Sequence, residues 1–161
     1  MRKLMVEWTR QEDEFGCFVA AMAMITGQTY VQVKAETGDI YKNKSGCHFS
    51  ADQYLAERGY ACARLWSFNQ FKQDADGNNE KTVPWPPKPF APVHLCSVVT
   101  SMGHFVVMLA DGTVFDPAIP VEKKLSDYER VNWVAGVWPI RWLKSPKEPN
   151  RPTYPLDSPY E

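Results

Sequence analysis

The sequence predicts an α+β fold, in which helices come first along the chain and an antiparallel sheet comes second. Up to Gly59 the local signals are helical, namely an apolar segment closed by glycine and two capping boxes. From Tyr60 onward the apolar residues occur in short β-branched or aromatic runs that turn residues separate. At 161 residues the chain can bury a real core, so we predict one domain over 1–144 and a proline-rich tail over 145–161.

The first predicted helix covers an apolar segment from Phe15 to Ile25 that carries one thiol, Cys17, and no charge. The segment is too short to span a bilayer and is apolar on every side, which indicates a helix buried inside a domain. Gly27 is expected to end it. Cys17 then lies in the first turn, where free backbone N–H groups and the helix dipole favour the thiolate, the nucleophilic form of cysteine. The alternative is an inert packing residue, which is common for cysteine.

Two further helices are predicted from capping boxes. Thr29 and Gln32 have the spacing of such a box, and we expect the second helix to begin there. Ser50 and Gln53 repeat the pattern, which predicts that the third helix begins at Ser50. The polar residues 39–48 between the two helices are expected to form a loop.

Five runs with strand character follow: Tyr60–Trp66, Val93–Thr100, His104–Leu109, Thr113–Pro117 and Asn132–Trp142. The proline-rich residues 84–92 are expected to form a stiff extended connector, because proline removes backbone donors. Residues 122–130 form a polar segment before the last run. Pro139 inside the last run predicts an edge strand or a bulge there.

The third and fourth runs place a histidine and an aspartate where they can meet. If Ala110–Gly112 forms a three-residue hairpin loop, Val106 faces Asp116, and His104 shares a face with Asp116 on diagonally related positions. A two-residue loop would put the two side chains on opposite faces. His104 is therefore the candidate base and Asp116 its orienting partner. The alternatives are a strand-end histidine that is otherwise satisfied and an aspartate that initiates a turn.

A glutamine adds a fourth element. Gln11 lies six residues before Cys17, where its side-chain amide could join the Cys17 N–H as an oxyanion hole. Gln11, Cys17, His104 and Asp116, in this order, resemble the Gln, Cys, His and Asp/Asn set of papain-like cysteine peptidases. Within that superfamily the chain is most similar to the bacteriocin-leader (double-glycine leader) peptidases.

The resemblance runs from Gln11 to about Ile140, most of the chain. It includes the Gln-to-Cys spacing, the helix after the cysteine and three further stretches: Gly103–Val107, Asp116–Pro117 and Trp133–Gly136. It implies a papain-like domain in which the nucleophile helix packs against the C-terminal sheet. It also implies cleavage of a peptide or isopeptide bond in a peptide or protein substrate, through a covalent thioester that water hydrolyses, without metal or other cofactor.

The composition excludes several other classes. The net charge of −1 does not point to nucleic acid or to an anionic membrane surface, and no stretch is long and apolar enough to cross a bilayer. The N-terminus lacks the apolar run of a signal peptide, and the four cysteines show no regular spacing. We therefore expect reduced thiols and a cytoplasmic location, which is the host cytoplasm if the source is viral.

Two alternatives of other classes remain. One is a papain-like module that binds a protein partner without cleaving it, because the 67–92 segment blocks its cleft. The other is a metal site built from Cys47, His48, His94 and Cys96, although these spacings match the usual zinc patterns poorly. Three aromatic residues could line a cleft or belong to the core: Trp66, Trp85 and Phe90.

Overall fold

The computed structural model describes residues 4–37, 47–66, 71–73, 76, 79–81 and 85–143. For 47–50, 71–73 and 79–81 the description is limited to the backbone. The predicted tail at 145–161 and most of the predicted loop at 39–48 lie outside these residues, as do the side chains of Cys47 and His48.

The helix that begins at Cys17 is almost entirely buried. Helix α1 spans Cys17–Thr26, and every residue from Phe18 to Ile25 is buried. Gly27 ends it in the left-handed region at φ 74°, and its N–H donates to the Ala23 carbonyl at 2.9 Å. The predicted position and C-terminal end of this helix are therefore confirmed. No helix among the described residues is long and apolar enough to cross a membrane.

The second helix begins as predicted, and the third does not. Helix α2 spans Tyr30–Thr37, and the capping box at Thr29 is formed: its N–H donates to Gln32 Oε1 at 2.9 Å, and the Gln32 N–H donates back to Oγ1 at 3.2 Å. Helix α3 spans Cys47–Glu57, so the prediction that Ser50 caps it is wrong, and the preceding loop is shorter than 39–48. Ser50 lies inside the helix, because a Ser-x-x-Gln pattern marks a helix start only when the backbone is not already helical.

The strands are β1 Tyr60–Trp66, β2 Phe71–Gln73, β3 Asn79–Lys81, β4 Val93–Val99, β5 Gly103–Leu109, β6 Val114–Asp116, β7 Ile119–Lys123 and β8 Arg130–Pro139. Six of them form one antiparallel sheet in the order β1-β8-β4-β5-β6-β7, and β2 pairs with β3 separately. Strand β7 was not predicted. It lies at the sheet edge with nearly every residue exposed, so its sequence lacks the alternation of buried and exposed residues that signals a strand.

The last strand, β8, is an interior strand between β1 and β4, so the prediction that Pro139 marks an edge strand is wrong. Pro139 is the final residue of β8 and is followed by a short 3₁₀ turn, where a missing backbone donor interrupts no ladder. The strand does contain an irregularity, but at its other end. The pairing with β4 shifts between Ser97 and Val98, which leaves Asn132 as the extra residue of a bulge.

Helix α1 packs against one face of the sheet, as predicted. The Phe18 ring packs edge-on against Phe105 with the ring centroids 6.0 Å apart, and Phe105 in turn packs against Trp133 with the centroids 5.9 Å apart. Burial of one such phenylalanine contributes about 1.5–3 kcal/mol to the stability of the fold. A second apolar cluster, which includes Val106, Met108 and Tyr128, lies on the opposite face, because side chains alternate along β5.

Candidate active site

The β5–β6 hairpin has the predicted three-residue loop. Val107 pairs with Phe115, which places Val106 opposite Asp116 in the same register. The Leu109 N–H donates to the Thr113 carbonyl at 2.8 Å and closes the loop. Gly112 adopts φ 91°, a conformation that glycine reaches without strain. Of the two loop lengths considered from the sequence, the three-residue loop is therefore the one that forms, and with it the histidine and the aspartate share a face.

His104 and Asp116 form a hydrogen-bonded pair. The Nε2 atom of His104 lies 2.7 Å from Asp116 Oδ1, and the two side chains are 11% and 2% exposed. Burial by itself lowers the pKa of His104, but the hydrogen bonds and charges of Asp116 and Cys17 outweigh it and raise the pKa to about 9. The imidazole is consequently protonated at neutral pH.

Asp116 is fully engaged by donors. Its Oδ1 also accepts the Ala118 N–H at 2.9 Å, and its Oδ2 accepts the hydroxyl of Tyr128 at 2.8 Å. Burial favours the neutral acid, but the hydrogen bond from His104, together with those from Ala118 and Tyr128, lowers the pKa of Asp116 below its ordinary value. The bond to Ala118 is that of a turn-initiating aspartate. The contacts of Asp116 thus agree with both interpretations from the sequence, as a partner of His104 and as the initiator of a turn.

Cys17 is the first residue of α1 and is half-buried. Its side chain lies near enough to His104 to contribute to the raised pKa of that imidazole. Because Nε2 of the ring is occupied by Asp116, Nδ1 is the nitrogen left for a bond to the thiol. The structure therefore brings Cys17 into the neighbourhood of the hydrogen-bonded pair His104 and Asp116.

The side-chain amide of Gln11 is turned toward the turn that leads into α1. Its Nε2 is 3.3 Å from the carbonyl oxygens of both Asp13 and Glu14, and its Oε1 is buried without a hydrogen-bond partner in the described part of the chain. In this conformation the amide hydrogens are used in the turn that leads into α1. The oxyanion role of Gln11 therefore remains a prediction.

Two residues absent from the sequence prediction support the site. The Trp8 indole N–H donates to the Asp116 carbonyl at 2.8 Å, and the Gln11 backbone N–H donates to the Pro117 carbonyl at 3.0 Å. These bonds tie the segment before α1 to the end of β6. Tyr128 is the second missed residue. It lies in the segment predicted to be polar, and no local pattern in the sequence links either aromatic residue to Asp116.

The turn before α1 is anchored to α2. Asp13 accepts a hydrogen bond from the Tyr30 hydroxyl at 2.7 Å and two from Lys34 Nζ at 2.8 and 2.9 Å. The bond from Lys34, followed by that from Tyr30, lowers the pKa of Asp13. Gly16, which precedes the thiol, has no room for a side chain, because an added β-carbon would collide with the Tyr30 hydroxyl.

His94 has a structural role that conflicts with metal binding. Its Nε2 accepts the N–H groups of Phe90 and Ala91, both at 3.0 Å, so Nδ1 carries the proton and donates to the Met108 carbonyl at 3.2 Å. Burial lowers the pKa of His94 to about 4. Neither nitrogen retains a free lone pair for a metal. Across the described residues, no three or more His, Cys, Asp or Glu side chains cluster as metal ligands would.

The aromatic residues considered for a cleft are mostly packed. Trp66 lies against Trp133 at 6.0 Å between centroids, and Phe90 lies against His94 at 4.8 Å. Trp85 lines a surface cavity of about 360 Å³ beside a larger one of about 730 Å³. Neither cavity is lined by Cys17 or His104.

An N-terminal helix that begins with a cysteine and packs on an antiparallel sheet carrying a His–Asp pair defines the papain-like cysteine peptidase fold. Seven solved chains match this structure. One is the crystal structure of a double-glycine motif protease from an AMS/PCAT transporter in complex with the leader peptide. It matches with a TM-score of 0.50 and 14% sequence identity, over 85% of this chain and 94% of that chain. No protein-family model matches the sequence, and no curated protein sequence matches it either. The likeness confirms the predicted papain-like α+β fold.

Proposed function

We propose that this chain is a cysteine peptidase-like hydrolase that cleaves a peptide or isopeptide bond with Cys17 as nucleophile, His104 as acid and base, and Asp116 as orienter. One observation carries the proposal, namely that His104 is bonded to the buried Asp116 carboxylate at 2.7 Å and has Cys17, at the start of α1, as a neighbour that raises the pKa of the imidazole. A buried packing thiol would need neither a histidine partner nor an ionised aspartate behind it. A helix N-terminus next to an imidazolium is the environment that activates a thiolate.

The proposed reaction has two halves. The Cys17 thiolate attacks the carbonyl carbon, and the negative charge on the carbonyl oxygen is met by the Cys17 backbone N–H. The imidazolium of His104 then donates its proton from Nδ1 to the leaving amine, and the carbon–nitrogen bond breaks to leave a thioester. The neutral imidazole next takes a proton from water, which attacks the thioester and releases the acid and Cys17.

Gln11 would contribute a second donor to the oxyanion after a change of side-chain rotamer. Its Nε2 now faces Asp13 and Glu14 through long bonds of 3.3 Å, which are weak enough to exchange for a charged acceptor. The unpartnered, buried Oε1 is a further reason for the present conformation to be replaced. We infer that a bound substrate draws the amide hydrogens toward Cys17.

Asp116 holds the imidazole in one orientation and keeps it charged. With Oδ1 at 2.7 Å from Nε2, the carboxylate directs Nδ1 toward the thiol and stabilises the imidazolium that forms during attack. We infer acyl compounds with an amine leaving group as the substrate class, because the imidazolium can protonate the departing amine. The solved double-glycine protease holds a leader peptide, which supports a peptide as the substrate class here as well.

An electrophilic peptide probe tests the proposal. A peptide carrying a C-terminal aldehyde or vinyl sulfone should label Cys17 and leave Cys62 and Cys96 unmodified in the folded protein, as peptide mapping by mass spectrometry would show. His104→Ala should abolish labelling without unfolding the chain. If Cys17 stays unlabelled while a partner protein is retained equally by wild type and Cys17→Ala, the chain is the binding module considered above.

A further inference from the structure

Tyr128 is the residue outside the proposed triad that contacts it most directly. It follows the 3₁₀ turn Leu125–Asp127 after β7, and its N–H donates to the Leu125 carbonyl at 3.3 Å. Its ring belongs to the apolar cluster on the sheet face opposite α1 and is 8% exposed. The hydroxyl emerges from this cluster next to Asp116. Tyr128 therefore reaches the carboxylate from a part of the chain that carries no other member of the site.

The hydroxyl of Tyr128 completes the hydrogen bonding of the carboxylate. It donates to Asp116 Oδ2 at 2.8 Å in a buried environment, while His104 and the Ala118 N–H occupy Oδ1. Both oxygens are thus held, and the carboxylate cannot rotate about its Cβ–Cγ bond without losing a donor. This matters because only one orientation presents Oδ1 to Nε2 of His104 in line with the imidazole ring.

Two physical effects follow from the bond to Oδ2. A buried anionic oxygen without a donor is costly, so the Tyr128 hydroxyl favours the ionised form of Asp116 over the neutral acid. Burial, and then the bond to Asp116, raises the pKa of Tyr128, so the phenol remains protonated and remains a donor throughout the working range. The hydroxyl therefore acts on both the orientation and the charge of Asp116.

We propose that Tyr128 is a positioning residue for the cysteine-peptidase reaction, acting through Asp116 by holding Oδ2 so that Oδ1 stays directed at His104. The inference rests on the proposed function. Tyr128 does not touch the thiol or the reacting carbonyl. Its removal should consequently weaken the step in which the imidazole moves a proton and leave substrate binding intact.

Tyr128→Phe is the matched test, because it removes the hydroxyl and keeps the ring in the apolar cluster. We expect kcat for a peptide substrate to fall about tenfold, as for the loss of one hydrogen bond to a charged group, with KM unchanged. We also expect the part of the acid limb that follows protonation of Asp116 to move to higher pH, because Asp116 loses a donor that favours its ionised form. If Tyr128 only stabilised the fold, Tyr128→Phe would lower the melting temperature and would not move the acid limb of the pH–rate profile.

Tyr54→Phe is the control. The Tyr54 hydroxyl also donates to a carboxylate, Glu36 Oε2 at 2.8 Å, and the residue is 6% exposed, but the pair joins α3 to α2 away from the site. The two substitutions delete the same group from a tyrosine whose hydroxyl donates to a carboxylate, although Glu36 is exposed and Asp116 is buried. Tyr54→Phe separates loss of stability from loss of function, because it should change neither kcat nor the acid limb.

A double-mutant cycle and a direct titration complete the test. Tyr128→Phe should cause no further loss of kcat in an Asp116→Ala background if it acts through that carboxylate. Titration of the carboxyl carbons by ¹³C NMR should show that Asp116 protonates at higher pH in Tyr128→Phe than in wild type. The inference is overturned if Tyr128→Phe changes neither the acid limb nor the titration of Asp116. It is also overturned if the losses of kcat from Tyr128→Phe and Asp116→Ala add in full. A Tyr128→Phe protein that does not fold overturns it too, because Tyr128 would then be a core residue.

Failure of this inference can be told apart from failure of the proposed function. If wild-type protein hydrolyses no peptide and Cys17 takes up no electrophilic probe, the proposed function falls and the positioning role falls with it. If wild-type protein is active and Tyr128→Phe keeps its kcat and acid limb, only the role of Tyr128 falls. The Asp116 titration needs no substrate and reports on the hydrogen bond in either case.

Discussion

The proposal depends most on the nucleophile, and selective alkylation of Cys17 at low pH tests it directly. Iodoacetamide reacts with thiolates, so the rate at each cysteine reports the fraction of thiolate there. The perturbation is a change of pH across roughly 5 to 9, a range that brackets ordinary and activated thiols. We expect Cys17 to react readily at pH 6, where His104 is protonated because its pKa is raised to about 9.

The structure sets the size of the expected difference. An ordinary thiol with a pKa near 8.5 is about 0.3% thiolate at pH 6. A thiol held wholly as thiolate would exceed an ordinary thiol about 300-fold in thiolate, and the lower intrinsic nucleophilicity of a stabilised thiolate reduces the gain in rate by about tenfold. We therefore expect Cys17 to react about 30-fold faster than an ordinary thiol. Burial raises the pKa of Cys62 to about 11, so only about one part in 10⁵ of it is thiolate at pH 6.

The assay follows alkylation of each cysteine by mass spectrometry in one sample of folded protein. Cys62 and Cys96 serve as internal references, because burial raises the pKa of both thiols. Cys47 provides a further reference thiol. His104→Ala should remove most of the reactivity of Cys17 at pH 6 and leave the references unchanged. Equal rates for Cys17 and the reference thiols at pH 6 would refute the ion pair and leave Cys17 as a packing residue.

Three further predictions concern the partners of Cys17. Asp116→Asn should keep much of the activity, because the amide carbonyl can still accept a hydrogen bond from His104. Asp116→Ala should lose about 10–100-fold more activity in a peptide-cleavage assay. Equal losses from the two variants would contradict an orienting role for Asp116. The stability difference between wild type and His104→Ala, from urea unfolding, should be largest below pH 6.5 and should decrease as pH rises through about 9 to the constant loss of packing, because a raised folded-state pKa stabilises only the protonated form. The pH-dependent part of this stability difference is at most about 3 kcal/mol. A stability difference that grows with pH would contradict the ion pair of His104 and Asp116. Gly16→Ala should destabilise the protein by about 1–3 kcal/mol in thermal melts, because its β-carbon would meet the Tyr30 hydroxyl. Gly103→Ala, where nothing lies within 4 Å, is the control, and equal melting temperatures for the two variants would argue against the clash.

The sequence by itself determined the elements whose signals are local. The uncharged segment after Phe15 defines α1, and Gly27 ends it, because burial and the left-handed conformation are imposed on those residues directly. The Asp-Gly loop determined the hairpin register, since loop length alone decides which side chains share a face. That register was enough to predict that His104 and Asp116 meet.

The tertiary structure decided what depends on contacts between distant residues. Tyr128 and Trp8 hold Asp116 from 12 and 108 residues away, and nothing in their local sequence distinguishes them from other aromatic residues. Strand β8 lies inside the sheet although Pro139 suggested an edge, because strand order is set by which faces pack together and not by the pattern of one strand. Helix α3 begins before Ser50 for a related reason, since a capping pattern competes with backbone bonds that neighbouring elements stabilise. Local chemistry thus specified the candidate site residues, and long-range packing specified what holds them in place.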